Sequence, residues 1–152
     1  MNKKVGFGFL VLCFFILTIF TGNVMAAQKA LILSGTSEDA AQKIGTTMMV
    51  IEGVKEVLAK ENINTEIQWV DLDGQKDPEK KVELGLKAVE IARQAKPDVI
   101  IVLNDNALKY VGSKIDDIPV VFAWVFSTDM KSLGLPKPNI TGVTRRSYAP
   151  DI

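Results

Sequence analysis

The sequence predicts an α/β fold: a Rossmann-like three-layer sandwich around a parallel five-stranded sheet in the order 2-1-3-4-5. Three observations carry this. From Lys29 onward, short apolar runs rich in β-branched residues alternate with longer segments of helical period. The runs are apolar throughout rather than every second residue, as suits strands covered on both faces. Successive strands are separated by helices or long loops, so the neighbours lie parallel, and 2-1-3-4-5 is a default order for such a unit.

The first run, Ala30–Leu33, leaves through the turn Ser34-Gly35-Thr36-Ser37. A helix follows with apolar positions Ile44, Met48, Ile51, Val54 and Leu58 spaced by three and four, continuous through Gly45 and ending near Asn62. Thr65–Val70 is the second strand, with Ile67 and Trp69 on one face, and Asp71 to Pro78 reads as a polar, solvated loop. Asp77 caps the next helix and Pro78 suits its first turn. That helix turns Val82, Leu86, Val89 and Ala92 or Arg93 inward and stops before Pro97. Asp98–Leu103 is the third and most buried strand. Asn104-Asp105-Asn106 caps a short helix through Leu108 and Val111. Ile118–Val125 is the fourth strand, and Asn139–Thr144 the fifth, after the Pro136-Lys137-Pro138 turn.

Ahead of this domain, Lys3 and Lys4 precede the apolar stretch Val5–Phe20, and Val24-Met25-Ala26 has the small or short-branched residues of a cleavage site. The expectation is a signal peptide over residues 1–26, cut after Ala26, and a periplasmic location for residues 27–152. The alternative is a retained anchor, since 17 residues from Val5 to Thr21 lie at the lower edge of what spans a bilayer. Membrane contact is then through the leader alone.

Composition excludes several function classes. The 152 residues hold 18 basic and 18 acidic side chains, and a mature chain without Lys3 and Lys4 is slightly acidic, so nothing calls for nucleic acid. There is no histidine, and the single cysteine, Cys13, lies in the leader. Ser-His and Cys-His nucleophile pairs, His or Cys metal sites and disulfides in the mature chain are therefore out. The first turn offers only Gly35 where a dinucleotide fingerprint needs three spaced glycines. Counting from Asp71 puts Lys76 and Val82 where a calcium loop needs glycine and glutamate. No cofactor is expected.

In an open parallel sheet, ligands bind at the carboxyl ends of the strands where strand order reverses. That nominates Ser34, Gly35, Thr36 and Ser37 after the first strand, and Asn104, Asp105 and Asn106 after the third. The same residue types are preferred N-caps whatever the function, so capping alone and ligand contact both stand open. Trp124 and Phe126, facing the same way by strand alternation, offer aromatic surface for a ligand or for the core. Thr144 closes the set, and Arg145 and Arg146 beside it offer a clamp for a carboxylate or plain solvated charge.

At Lys96-Pro-Asp-Val-Ile-Ile-Val-Leu103, Ile118-Pro-Val-Val-Phe-Ala123 and Asn139-Ile-Thr-Gly-Val-Thr144, the sequence resembles the ABC-transporter substrate-binding proteins of the tryptophan/tyrosine-type group. The resemblance implies the first lobe of a type I periplasmic binding protein: two Rossmann-like lobes that close over a small ligand and present it to an ABC permease in the inner membrane. Asn104-Asp105 stands where that group often has Gly-Thr, and Asp129-Met130-Lys131 where it commonly has Asp-Pro-Val. The group continues into a second lobe after the segment matching Thr144, so a fragment or a shortened relative is expected. The expected function is the extracytoplasmic solute-binding component of an importer, taking an amino acid or similar small organic solute and doing no chemistry on it. The alternative is a ligand-sensing domain of a signalling protein.

Overall fold

The structure, a computed structural model, describes residues 28–145; the expected signal peptide over residues 1–26, with its expected cleavage site, and Arg146 lie outside the described residues. The elements run β1 (Lys29–Ser34), α1 (Glu38–Ile44), α2 (Thr46–Lys60), β2 (Asn64–Trp69), α3 (Pro78–Gln94), β3 (Val99–Leu103), α4 (Asp105–Tyr110), β4 (Val120–Val125) and β5 (Ile140–Thr144), with 3-10 turns at Gly112–Lys114 and Lys131–Leu133. All five strands are parallel and lie in the order β2-β1-β3-β4-β5. Strand boundaries differ from the sequence expectation by one or two residues.

Alternation along β1 builds two cores. Leu31 and Leu33 join Ile100 and Val102 of β3, Ala88, Val89 and Ala92 of α3, and Ala107 and Leu108 of α4 on one side of the sheet. Ala30 and Ile32 join Ile101 and Leu103 on the other, under Ile51, Val54 and Leu58 of α2, with Ile67 and Trp69 packed alongside. Every strand residue of β1 after Lys29 is buried, which explains its uninterrupted apolar run.

Two helical expectations need correction. The single helix after β1 is two helices, because Gly45 adopts φ 75°, a left-handed conformation that glycine tolerates without penalty, and its N–H closes α1 on the Ala41 carbonyl. Ile44 is consequently exposed, while Ile51, Val54 and Leu58 keep the core-facing stripe. In α3, Asp77 caps the helix as expected, accepting from the Glu79 N–H at 2.9 Å, but Val82 and Leu86 face out. The buried face is instead Gly85, Ala88, Val89 and Ala92. A Cβ at residue 85 would run into the carbonyl oxygen of Tyr110, so the absence of a side chain sets how closely α3 approaches α4. Small residues, not large ones, make that contact.

The side of the sheet that α2 covers over β1 and β3 is open farther along. Val121 pairs with Ile101 and Thr141 in register, so it shares their face, and both it and Val143 are exposed there.

Candidate functional site

The carboxyl edge of the sheet is assembled around Gly35. Its carbonyl accepts the N–H groups of Leu72 and Asp73, each at 2.9 Å, which draws the loop after β2 onto the turn after β1. Fully buried Leu72 anchors that loop from below. Any Cβ on Gly35 would overlap the side-chain amide of Asn104, so the glycine admits Asn104 over the end of β1.

Four side chains then meet. The Thr36 hydroxyl donates to Asp73 Oδ2 at 2.6 Å, and the Asn104 Nδ2 donates to the same oxygen at 2.8 Å and to Thr36 Oγ1 at 3.3 Å. Asn106 Nδ2 donates to Asp73 Oδ1 at 2.6 Å. Asn104 sits at φ 79°, ψ 168°, a conformation rarely adopted by a residue with a side chain, and its Oδ1 accepts from the Ala107 N–H at 3.0 Å to cap α4. Asp73 is exposed, and among the described residues no lysine or arginine pairs with it. Its carboxylate keeps acceptor capacity beyond the three donors it already holds.

Of the other residues nominated in this turn, Ser34 is fully buried and its hydroxyl accepts from the Thr36 N–H at 3.3 Å, shaping the turn from within. Ser37 caps α1 by accepting from the Ala40 N–H at 3.4 Å. Asp73 is the participant that sequence reasoning missed: its loop reads as solvated, and the one signal against that is Leu72, an apolar residue alone in a polar stretch.

Beside this cluster lies an aromatic one. Asp105 turns away from Asp73, and its carboxylate accepts the N–H groups of Phe126 and Ser127, at 3.2 and 2.9 Å to Oδ1. It thereby ties the start of α4 to the loop after β4. Trp124 adopts φ 59°, and the pairing of β4 with β5 shifts register between Phe122 and Val125, the mark of a bulge. The rings of Trp124 and Phe126 meet edge to face, with centroids 5.5 Å apart and planes at 83°. The guanidinium of Arg145 lies over both, 4.9 Å from the Trp124 centroid and 5.2 Å from that of Phe126. Arg145 is held by its own N–H, which donates to the Val125 carbonyl at 2.7 Å. Thr144 pairs with Val125 on the exposed edge strand.

Two concavities flank α3. One of about 350 Å³ lies between the carboxyl end of β2 with its following loop, at Trp69, Asp71 and Gln75, and Leu84 and Ile91 of α3. The other, of about 270 Å³, lies between Val82, Leu86 and Tyr110. Neither is lined by Thr36, Asn104, Trp124 or Phe126.

Set against solved structures, the chain superposes on an ABC domain in complex with L-Trp from Streptococcus pneumonia, with a TM-score of 0.56 at 17% identity, over 78% of this chain and 39% of that one. The likeness is one of fold, an α/β Rossmann-like unit around a parallel five-stranded sheet. A ligand-free, open substrate binding protein with adhesive properties from Clostridium difficile also matches, with a TM-score of 0.49 at 20% identity, over 76% of this chain and 38% of that one. The chain thus spans about two fifths of the length of either structure. It matches no protein-family profile, and no curated protein resembles it in sequence.

Proposed function

We propose that this chain is the extracytoplasmic solute-binding component of an ABC importer, that its ligand is an amino acid or a similar small organic solute, and that it does no chemistry on that ligand. The observation that carries the reading is the convergence of Thr36, Asp73, Asn104 and Asn106 at the point where strand order reverses, beside the partly exposed rings of Trp124 and Phe126. Fixed donors and acceptors of this kind orient polar groups, and ring faces receive apolar or cationic ones. The likeness in fold to a domain bound to L-Trp makes tryptophan the first ligand to try. The absence of histidine and of any cysteine after Cys13 agrees with a role that is binding rather than turnover. Export through the apolar leader and release to a permease complete the reading.

The test is thermal unfolding of the protein with L-Trp and a panel of other free amino acids. A ligand at a hundredfold excess over its Kd stabilises the native state by about 2.7 kcal/mol. For a domain of this size that is a rise in Tm of roughly 5–15 °C. A flat response across the panel at millimolar concentration overturns the amino-acid assignment.

A further inference from the structure

We infer that Trp124 and Phe126 form a two-walled receptor for the cationic group of the ligand, a place the guanidinium of Arg145 fills as an intramolecular stand-in. The inference deepens the solute-binding reading and rests on it, since it names the ligand's charge class at the same edge of the sheet.

The geometry makes the argument. A cation within about 6 Å of a ring centroid is attracted by the negative face of the ring. Arg145 meets that condition with two rings at once, at 4.9 and 5.2 Å. A carboxylate stands beside the rings, since Asp105 is hydrogen-bonded to the backbone of Phe126 itself. Yet among the described residues Arg145 forms no ion pair. The rings hold it instead.

The rings are also placed at a cost. Trp124 occupies a left-handed backbone conformation that disfavours every residue with a Cβ, and the bulge around it sets its ring against that of Phe126. Burial does not explain the arrangement, since Phe126 is 49% exposed. Two partly exposed aromatics at a right angle, with a cation between them, have the form of a cage for an ammonium or guanidinium group. The neighbouring charges agree: among the described residues Asp73 and Asp105 have no basic partner, which favours a cation at this edge and disfavours an anion. An anion-clamping role for Arg145, open from the sequence, fits this less well, because its charge is already committed to the rings.

Because Arg145 competes for the place a ligand cation would take, removing it should open the receptor. The probe is tetramethylammonium chloride, titrated against sodium chloride of equal ionic strength, with the indole N–H signals of Trp69 and Trp124 followed by NMR on the full chain. Saturable movement of the Trp124 signal alone is expected. Arg145→Gln should tighten the interaction about three- to tenfold, as for release of an exposed cation from aromatic faces, while Arg145→Lys stays near the wild type and Trp124→Leu removes binding. An unmoved Trp124 signal, or an Arg145→Gln variant that binds no tighter, overturns the inference. The two readings separate cleanly: L-Trp stabilisation with an unresponsive Trp124 leaves solute binding standing and removes the cation receptor. Saturable tetramethylammonium binding with no amino-acid response keeps the receptor and removes the amino-acid assignment.

Discussion

The Thr36 hydroxyl donates to the Asp73 carboxylate at 2.6 Å across 37 residues of chain, a side-chain bond that reinforces the backbone bonds from Leu72 and Asp73 to the Gly35 carbonyl in joining the turn after β1 to the loop after β2. Thr36 is 93% buried, so its hydroxyl has little access to water and depends on that partner. Asp73 in turn collects Asn104 and Asn106, which makes it the common acceptor of an edge built from three strand ends.

Asp73→Ala should therefore destabilise the protein by about 1–2 kcal/mol, because it leaves three donors without their acceptor. Asp73→Asn, which keeps one acceptor oxygen, should recover part of the loss. Urea unfolding gives the comparison, and an Ala variant with an unchanged midpoint would show that water replaces the carboxylate at no cost. Ligand-dependent stabilisation should be weakened in both variants.

For Asp105 the structure changes what a mutation is expected to do. The sequence nominates Asp105 for ligand contact or for capping, and the structure adds that its carboxylate holds the N–H groups of Phe126 and Ser127. Its removal should free residues 124–129 and cost about 1 kcal/mol. Hydrogen exchange is the measurement: amides of Phe126 and Ser127 should lose protection while those of β1 keep it. Equal exchange in both proteins would remove Asp105 from this role.

The fold is legible in the sequence because β1 and β3 are buried and apolar, because β4 is apolar throughout, and because Asp77-Pro78 and Asn104 are local signals that act where they stand. What escaped was decided by contacts between distant segments. Gly45 looks like a tolerated residue within a helical pattern until its positive φ is seen, and Val82 and Leu86 look like a core stripe until Gly85 lets α3 settle on Tyr110 instead. In the site, Thr36 and Asn104 follow from strand order alone. Asp73 does not, since its position depends on the Gly35 carbonyl capturing the backbone of a loop that has no periodicity. The pairing of Trp124 with Phe126 was visible as alternation, but the bulge and the seat of Arg145 were not.

Gly35→Ala should expose the dependence of the edge on one missing methyl group. The added Cβ meets the Asn104 side chain and lies 3.1 Å from the Ala107 nitrogen, so Asn104 must move and α4 loses its cap. Overpacking of this kind costs about 1–3 kcal/mol. Combining it with Asn104→Ala removes the obstruction, so the double variant should be less damaged than the sum of the two single ones. Strict additivity in urea unfolding would mean that the clash is relieved elsewhere.

Glu83 offers a prediction in pH. Lys80 and Lys87 donate to its two oxygens at 2.8 and 2.9 Å on the exposed face of α3, and these bonds, with the charges behind them, lower its pKa from 4.5 to about 2. A carboxylate whose folded pKa is depressed contributes stability that is fully present above its unfolded value and is lost as pH falls through the folded one. The difference in Tm between the wild type and Glu83→Gln should accordingly be largest near neutrality, shrink below about pH 4.5 and vanish near pH 2. Because the pair of bridges is exposed, molar salt at pH 7 should narrow the same difference by screening. A gap that persists at pH 2 would assign the effect of the substitution to helix propensity rather than to charge.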